Sequence, residues 1–110
     1  MSFAIILTKS FKRTAKPLVK RFASFEQDLA ALGKELLANP QAGEPLGRDC
    51  YKVRIRIAAK GKGKSGGARV ITCIKIVGEK IYLLTIYDKS EQESISDQER
   101  DDLLRENGLL

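Results

Sequence analysis

The sequence predicts a small α+β domain: a small antiparallel sheet with an N-terminal helical hairpin on one face and a short C-terminal helix, in the order β-α-α-β-β-β-α. Apolar residues recur at spacings of three and four in the first 40 residues, which is typical of helices. From residue 50 the spacing changes to two, which is typical of strands. The chain has 110 residues, 43% of them hydrophobic. One domain over residues 1–110 with one modest core is therefore expected.

A short strand and a helix are predicted at the N-terminus. Phe3–Leu7 is apolar and β-branched, and Ser10–Phe22 has a helical composition with apolar residues at spacings of three and four. Pro17 removes one amide donor from this helix and crowds the preceding turn. A kink or a split is therefore expected at Pro17.

A second helix is predicted to begin at Ser24, because Gln27 three residues later completes a capping-box pattern. Asn39-Pro40 should end this helix, and Gln41–Gly47 is predicted to be a turn-rich connector. The leucines that fall on one face of the helix are Leu29, Leu32, Leu36 and Leu37.

Three strands follow. On the first, apolar residues point to one side, namely Val53, Ile55 and Ile57. Basic residues point to the other side, namely Lys52, Arg54 and Arg56. Arg69–Val77 and Lys80–Tyr87 are predicted to be strands joined by a tight hairpin through Gly78-Glu79. The last of these strands is apolar on both faces, which predicts a position inside the sheet.

The C-terminal helix has its own start and stop signals. Ser96 followed by Glu99 is a capping-box pattern, and Gly108 marks the end of the helix. Leu103 and Leu104 supply its apolar face.

Charge is separated along the chain, which has a formal net charge of +6. Residues 1–20 carry five basic residues and no acid, and residues 48–75 carry nine basic residues against Asp49 alone. Residues 88–110 carry eight acids against three basic residues. This separation predicts a polyanion at the basic surface, with the acidic tail held away from it. The alternative is a solvated basic face with no partner.

Several classes of function are disfavoured. The chain has no histidine, and Cys50 and Cys73 lack the spacing of metal ligands, so both are expected to be reduced, half-buried strand cysteines. A cysteine–histidine nucleophile is excluded. The apolar run Phe3–Leu7 is far shorter than a membrane span and precedes the basic cluster. A cytoplasmic protein without a signal peptide is therefore expected.

A glycine- and lysine-rich loop, residues 60–67, invites two interpretations. Gly63-Lys64-Ser65 resembles the end of a nucleotide-binding phosphate loop, but Ala58 occupies the position of the required first glycine and a strand follows instead of a helix. No cofactor is therefore expected. Lysines that alternate with glycines can instead surround a phosphate, namely Lys60, Lys62 and Lys64. The alternative is a flexible connection with solubilising lysines.

Two residues outside the loop are also candidates for chemistry. The guanidinium of Arg69 could hold a phosphate through two hydrogen bonds. Tyr87 lies at the carboxyl end of a strand, two residues before Lys89 and therefore on the same face. The alternative for Tyr87 is a core tyrosine with its hydroxyl at the rim of the sheet.

Three segments together resemble the RelE/HigB family of bacterial toxins: Leu46–Arg54, Gly61–Ile71 and Ile86–Ser90. The resemblance implies a sheet flanked by helices, and ribosome-dependent cleavage of messenger RNA through the RNA 2′-hydroxyl without a metal ion. It also implies neutralisation by a cognate antitoxin, with the toxin a monomer alone or a heteromer with that partner. The expected partners are therefore the antitoxin, the ribosome and mRNA.

The resemblance carries over to site residues unevenly. Arg69 matches the arginine that such toxins use at the scissile phosphate. Lys89 lies beside a position that is often basic, whereas Ser90 stands where an arginine is common. The predicted catalytic residues are Arg69, Lys89, Tyr87 and Lys64. The predicted RNA- and phosphate-binding residues are Lys52, Arg54, Arg56, Lys60 and Lys62.

Two other functions remain open on the same fold. One is a ParE-like toxin that inhibits DNA gyrase without cleaving nucleic acid, and the other is a non-catalytic basic module that binds RNA or DNA. If the chain does cleave RNA, a lysine or a tyrosine must act as the base, because there is no histidine. Clustered cations lower the pKa of a lysine, which would help this role.

Overall fold

The computed structural model describes residues 2–61, 63 and 66–110. The strands and helices, in chain order, are β1 Ala4–Leu7, α1 Lys9–Arg21, α2 Phe25–Ala38, β2 Glu44–Gly47, β3 Cys50–Ile55, β4 Ala68–Lys75, β5 Lys80–Asp88 and α3 Asp97–Glu106. A short 3-10 turn at Ala58–Lys60 follows β3. The predicted α+β fold class is confirmed, with one additional short strand, β2.

The five strands form one sheet in the order β1-β5-β4-β3-β2. β2 to β5 are paired antiparallel with their neighbours, whereas β1 is parallel to β5. The parallel pair arises because both helices intervene after β1, so no tight turn imposes an antiparallel neighbour on it. The hairpin between β4 and β5 and the interior position of β5 are as predicted, but β4 ends at Lys75 and not at Val77, so residues 76–79 form a four-residue turn.

Both N-terminal helices pack on one face of the sheet. Their buried contributions to this core are Phe11, Ala15, Leu18, Phe25, Leu32 and Leu36. The prediction for Leu37 is wrong, since its side chain is 52% exposed. Successive helical residues are about 100° apart, so Leu37 lies off the buried stripe that Leu36 occupies.

Helix α1 is continuous through Pro17, so the predicted split is not found. Pro17 is exposed and lies between the buried residues Ala15 and Leu18. Proline has no backbone N–H group, and at this position that group would have been on the solvent-facing side of the helix. Water can bond the carbonyl that is left over, and the buried face of the helix is preserved.

The predicted Ser24–Gln27 capping box is wrong. Ser24 has helical backbone angles, and its hydroxyl makes no capping hydrogen bond. It donates instead to Asp28 Oδ2 at 2.6 Å and accepts from the backbone N–H of Ala59 at 2.9 Å. Asp28 also accepts from the backbone N–H of Ala58. The start of α2 is therefore tied to the residues that enter the basic loop.

The connector predicted at Gln41–Gly47 contains an edge strand instead, because Glu44–Gly47 pairs with β3. The turn between these strands uses positive φ angles at Gly47, Arg48 and Asp49. A segment of four residues with a proline and a glycine carries little strand signal of its own. Its pairing with β3 is what makes it a strand.

A bulge at Leu84 changes which residues of β5 face the helices. Ile71 and Thr72 of β4 are opposite Thr85 and Leu83, which leaves Leu84 as the extra residue. Side chains near the start of α1 bond the backbone of β5 at the bulge. Thr8 Oγ1 donates to the Leu83 carbonyl at 2.7 Å, and Ser10 Oγ donates to the Leu84 carbonyl.

Helix α3 covers part of the other face of the sheet. Its Leu104 is buried in a second cluster with Cys50, Ile71, Cys73 and Leu84. The capping box predicted for α3 is confirmed, with both hydrogen bonds at 3.1 Å. Within the described residues, no helix is long and apolar enough to span a membrane.

Part of the acidic tail lies against basic residues. Glu106 pairs with Arg13 at 3.2 Å, and Asp101 pairs with Arg48 at 3.0 Å. Burial of Leu104 brings the acidic helix onto the sheet. Opposite charges then pair at the rim of this contact.

Candidate active site on the sheet

Arg54, Arg69 and Tyr87 form a row across three adjacent strands. Arg69 on β4 is directly opposite Arg54 on β3 and Tyr87 on β5. Their apolar neighbours along each strand belong to the helical core, namely Val53, Ile55, Ala68, Val70 and Ile86, so the row lies on the opposite face, together with α3. We refer to these three residues as the cross-strand row.

Arg69, at the centre of this row, is buried, with 4% of its surface exposed. Its Nη1 donates to the backbone carbonyl of Ala68 at 3.0 Å. A buried cation acts through a lower effective dielectric than a surface one, so it interacts more strongly with a nearby phosphate. Arg69 is therefore suited to stabilising negative charge on a bound phosphate and not only to attracting a polyanion to the surface.

Tyr87 is half-buried beside Arg69, and its hydroxyl donates to the Glu93 carbonyl at 3.4 Å. Burial raises the pKa of Tyr87, and the charge of Arg69 and a hydrogen bond with Ser94 offset this only in part. Tyr87 is therefore protonated at neutral pH. This state suits a proton donor and not a base.

Lys52 lies on the same face as the row, two residues before Arg54. Its ammonium is 3.3 Å from Ser94 Oγ and 3.8 Å from a carboxylate oxygen of Glu44, and its side chain is only 14% exposed. Ser94 and its neighbour Glu93 thus contact two of the predicted site residues, Lys52 and Tyr87. The segment before α3 forms one wall of the site.

Arg54 and Arg56 are exposed. Both line a cleft of about 310 Å³ beside α2, where Arg54 lies in the part of β3 beyond its pairing with β2 and Arg56 directly follows β3. The predicted basic stripe is therefore divided. Lys52 contacts the segment before α3, whereas Arg54 and Arg56 face solvent.

Lys60 is bound by an acidic residue that the sequence analysis missed. Its ammonium lies 2.8 Å from Oδ1 of Asp88, whose side chain is 3% exposed. Ser90 donates to the same oxygen through its backbone N–H at 2.9 Å and its hydroxyl at 2.8 Å. Arg21 is 3.7 Å from the other oxygen. Lys60 thus anchors the base of the basic loop to the end of β5.

Burial by itself would raise the pKa of Asp88, but the hydrogen bonds from Lys60 and Ser90 outweigh it and lower the pKa to about 2. Asp88 is therefore ionised at neutral pH. The sequence does contain a signal that could have identified Asp88 as a site residue. It lies within Ile86–Ser90, between the predicted site residues Tyr87 and Lys89.

The remaining predicted residues lie in or beside the loop. Lys89 is half-buried directly after β5, and its backbone N–H donates to the Gly67 carbonyl at 3.1 Å. It thus lies at the point where the loop returns to the sheet. Lys62 and Lys64 fall outside the described residues.

The fold and the cross-strand row define a class: a small α+β protein with cationic residues and a tyrosine in register on one sheet face. A family model described as the RelE toxin of the RelE/RelB toxin–antitoxin system matches residues 4–107. The chain belongs to the RelE toxin family.

A solved structure supports the same fold. It is a variant of E. coli toxin RelE in the free state, with two arginines replaced by alanine. The likeness covers 96% of this chain and 98% of that one, with a TM-score of 0.62 and 16% sequence identity.

Proposed function

We propose that this protein is the toxin of a type II toxin–antitoxin system and cleaves messenger RNA at the ribosome. The observation that carries the proposal is the cross-strand row in a chain of the RelE toxin family. It joins a buried arginine to a tyrosine that stays protonated. These are two of the groups that cleavage of an RNA phosphodiester requires.

In the proposed reaction, the RNA 2′-hydroxyl loses its proton and attacks the neighbouring phosphorus. Arg69 offsets the charge that develops on the phosphorane oxygens. Tyr87, which its raised pKa keeps protonated, donates a proton to the leaving 5′-oxygen. Lys89 or Lys64 takes up the proton of the 2′-hydroxyl. The products are a cyclic phosphate and a free 5′-hydroxyl.

RNA phosphates outside the reacting group are assigned to the other basic residues. Arg54 and Arg56 are exposed and adjoin the row, so they suit contacts to the RNA backbone. Lys52 and Lys62 are assigned the same role. Lys60 positions the basic loop, because its ammonium is held by Asp88 at the base of the loop.

The ribosome has a defined task in this proposal. The row is partly covered, with Arg69 buried and Tyr87 bonded to the Glu93 carbonyl. RNA must therefore be presented in a fixed geometry at this face. Orientation of this kind can lower a barrier by ~7–11 kcal/mol.

The proposed partner that silences the toxin is an antitoxin with an acidic, helical segment. Residues 48–75 carry a net charge of +8, and Arg54 and Arg56 within them are exposed. A segment of opposite charge that covers them would block the approach of RNA. Co-expression with the neighbouring small gene should restore growth and yield a complex on gel filtration.

The test of the proposed function is to induce the gene alone and to map transcript ends with and without translation. We expect new ends inside reading frames that vanish when initiation is blocked. Arg69→Ala should abolish these ends, whereas the matched control Lys80→Ala, an exposed cation at the far end of β5, should retain them. Intact messages together with altered DNA topology would instead support a gyrase inhibitor of the ParE type.

A further inference from the structure

Cys50 and Cys73 are directly opposite each other on β3 and β4. The N–H of Ile74 donates to the carbonyl of Asp49 at 3.0 Å, and these residues flank the cysteine pair. This pattern identifies the cysteines as a non-hydrogen-bonded pair, in which the Cα atoms are about 4.5 Å apart. Disulfides span Cα separations of about 4.4–6.8 Å, so the backbone already allows a bond.

Both thiols are free and buried in the structure, and the Cys50 thiol donates to the backbone carbonyl of Arg48 at 3.6 Å. The neighbouring Cys50 thiol lowers the pKa of Cys73, although burial opposes this, and Lys75 adds a smaller lowering. The same contact raises the pKa of Cys50. Of the two, Cys73 therefore carries more thiolate character, and thiolate is the form that reacts with oxidants.

We propose that Cys50 and Cys73 form a redox-sensitive site, which closes to an intramolecular disulfide when the folded protein meets a peroxide. The two sulfurs lie on one face, in register and beneath Leu104 of α3. Within Asp97–Glu106, Leu104 alone is buried, and polar contacts such as the Arg48–Asp101 pair and the hydrogen bond from Arg100 to the Leu46 carbonyl hold the rest of this cover. Local opening of α3 admits an oxidant of the size of hydrogen peroxide.

The oxidation proceeds in two balanced steps. The Cys73 thiolate attacks one oxygen of hydrogen peroxide, the O–O bond breaks, and a sulfenic acid and hydroxide form. Hydroxide takes the proton of the Cys50 thiol and becomes water. The Cys50 thiolate then attacks the Cys73 sulfur, and the S–O bond breaks. The second hydroxide takes up the proton that Cys73 lost on ionising, so two thiols and one peroxide give one disulfide and two waters.

The disulfide would join β3 to β4 while leaving the cross-strand row in place. The cysteine pair is four residues from Arg54 along β3, which is roughly 13 Å at ~3.3 Å per residue. The bond closes a loop that contains the basic segment 60–67 and thereby restrains the unfolded chain. Oxidation is therefore expected to raise the thermal stability of the fold.

The test is to treat the folded protein with hydrogen peroxide and to measure its intact mass and its thermal midpoint. We expect the loss of two hydrogen masses and a higher midpoint, both reversed by dithiothreitol. Trypsin should release Asp49–Lys52 linked to Val70–Lys75, because a basic residue precedes and ends each peptide. The wild-type chain suffices for this measurement, so it does not depend on whether a variant folds.

Single replacements provide matched controls. Cys50→Ser should leave Cys73 without a resolving thiol, so its sulfenic acid should proceed to the sulfinic acid and the midpoint should not rise. Cys73→Ser should leave Cys50 as a thiol under the same treatment. The proposal is overturned if the wild-type chain shows only links between two molecules, only sulfinic acid, or a disulfide that forms no faster than in the denatured chain.

Discussion

Arg69 and Tyr87 are directly opposite each other on β4 and β5, and the charge of the arginine partly offsets the rise that burial causes in the tyrosine pKa. The pair therefore places a fixed cation beside a protonated hydroxyl. Each has a distinct role in the proposed cleavage, one toward the phosphorane and the other toward the leaving oxygen. The two roles can be separated by substitution.

Arg69→Ala should slow single-turnover cleavage on programmed ribosomes by about 10²–10³-fold or more, because a transition-state donor is lost. Binding to the ribosome should change little. Arg69→Lys keeps the charge but loses the two-pronged geometry, so it should remain badly impaired. Lys62→Ala should instead weaken binding moderately and flatten its salt dependence.

Arg69 is buried, so its variants need a measure of folding, such as urea unfolding, alongside the rates. If folded Arg69→Ala cleaves at the parent rate once binding is saturated, the arginine is only an anchor. The catalytic assignment would then pass to Lys89 and Tyr87.

Tyr87→Phe removes the hydroxyl but keeps the ring, and it should slow cleavage by about 10²–10⁴-fold if the hydroxyl protonates the leaving oxygen. A substrate with a 5′-thio leaving group, which needs no proton, should restore most of the rate. Failure of this rescue would assign Tyr87 a positioning role.

The raised pKa of Tyr87 also predicts a dependence of stability on pH. A group whose pKa is higher in the folded state makes its full contribution to the stability of the fold at pH values below its unfolded pKa, which is ~10 for tyrosine. This contribution is lost as the pH rises through the folded pKa. Between pH 8 and 11, the thermal midpoint of the parent should therefore fall more steeply than that of Tyr87→Phe. Equal profiles would contradict the burial assigned to this hydroxyl.

Asp88→Asn should destabilise the fold by about 2 kcal/mol at neutral pH, since the pKa of Asp88 is lowered from 3.8 to about 2. A group whose pKa is lower in the folded state stabilises the fold at pH values above its unfolded pKa. This stabilisation is lost as the pH falls through the folded pKa. The difference between parent and variant should therefore shrink from pH 4 toward pH 2. Glu91→Gln, which removes the exposed partner of Arg21, is the matched control and should change stability little.

Pro17→Ala should stabilise the protein by ~1–3 kcal/mol, because α1 already continues through this position and an alanine supplies the missing amide donor. Urea unfolding measures the change. Lys16→Ala, at the neighbouring exposed position, controls for a general effect of alanine. A loss of stability would show that α1 depends on the shape that the proline imposes.

The sequence by itself determined the elements whose signals are local. Three such signals are confirmed: the alternation at Val53 and Ile55, the hairpin that contains Gly78-Glu79, and the Ser96–Glu99 capping box. Arg69 was predicted as a site residue from the resemblance to RelE toxins and from a guanidinium group that can hold a phosphate through two hydrogen bonds. The fold class follows from these signals.

Only the tertiary structure decided how distant segments meet. Ser24 bonds Ala59 and not Gln27, and Lys60 pairs with Asp88, because these groups come together only after the sheet and helices have packed. A buried polar group must find a partner wherever the fold provides one, and sequence spacing does not reveal it. The burial of Arg69 and the raised pKa of Tyr87 arise in the same way, from water excluded by neighbouring segments of the folded chain.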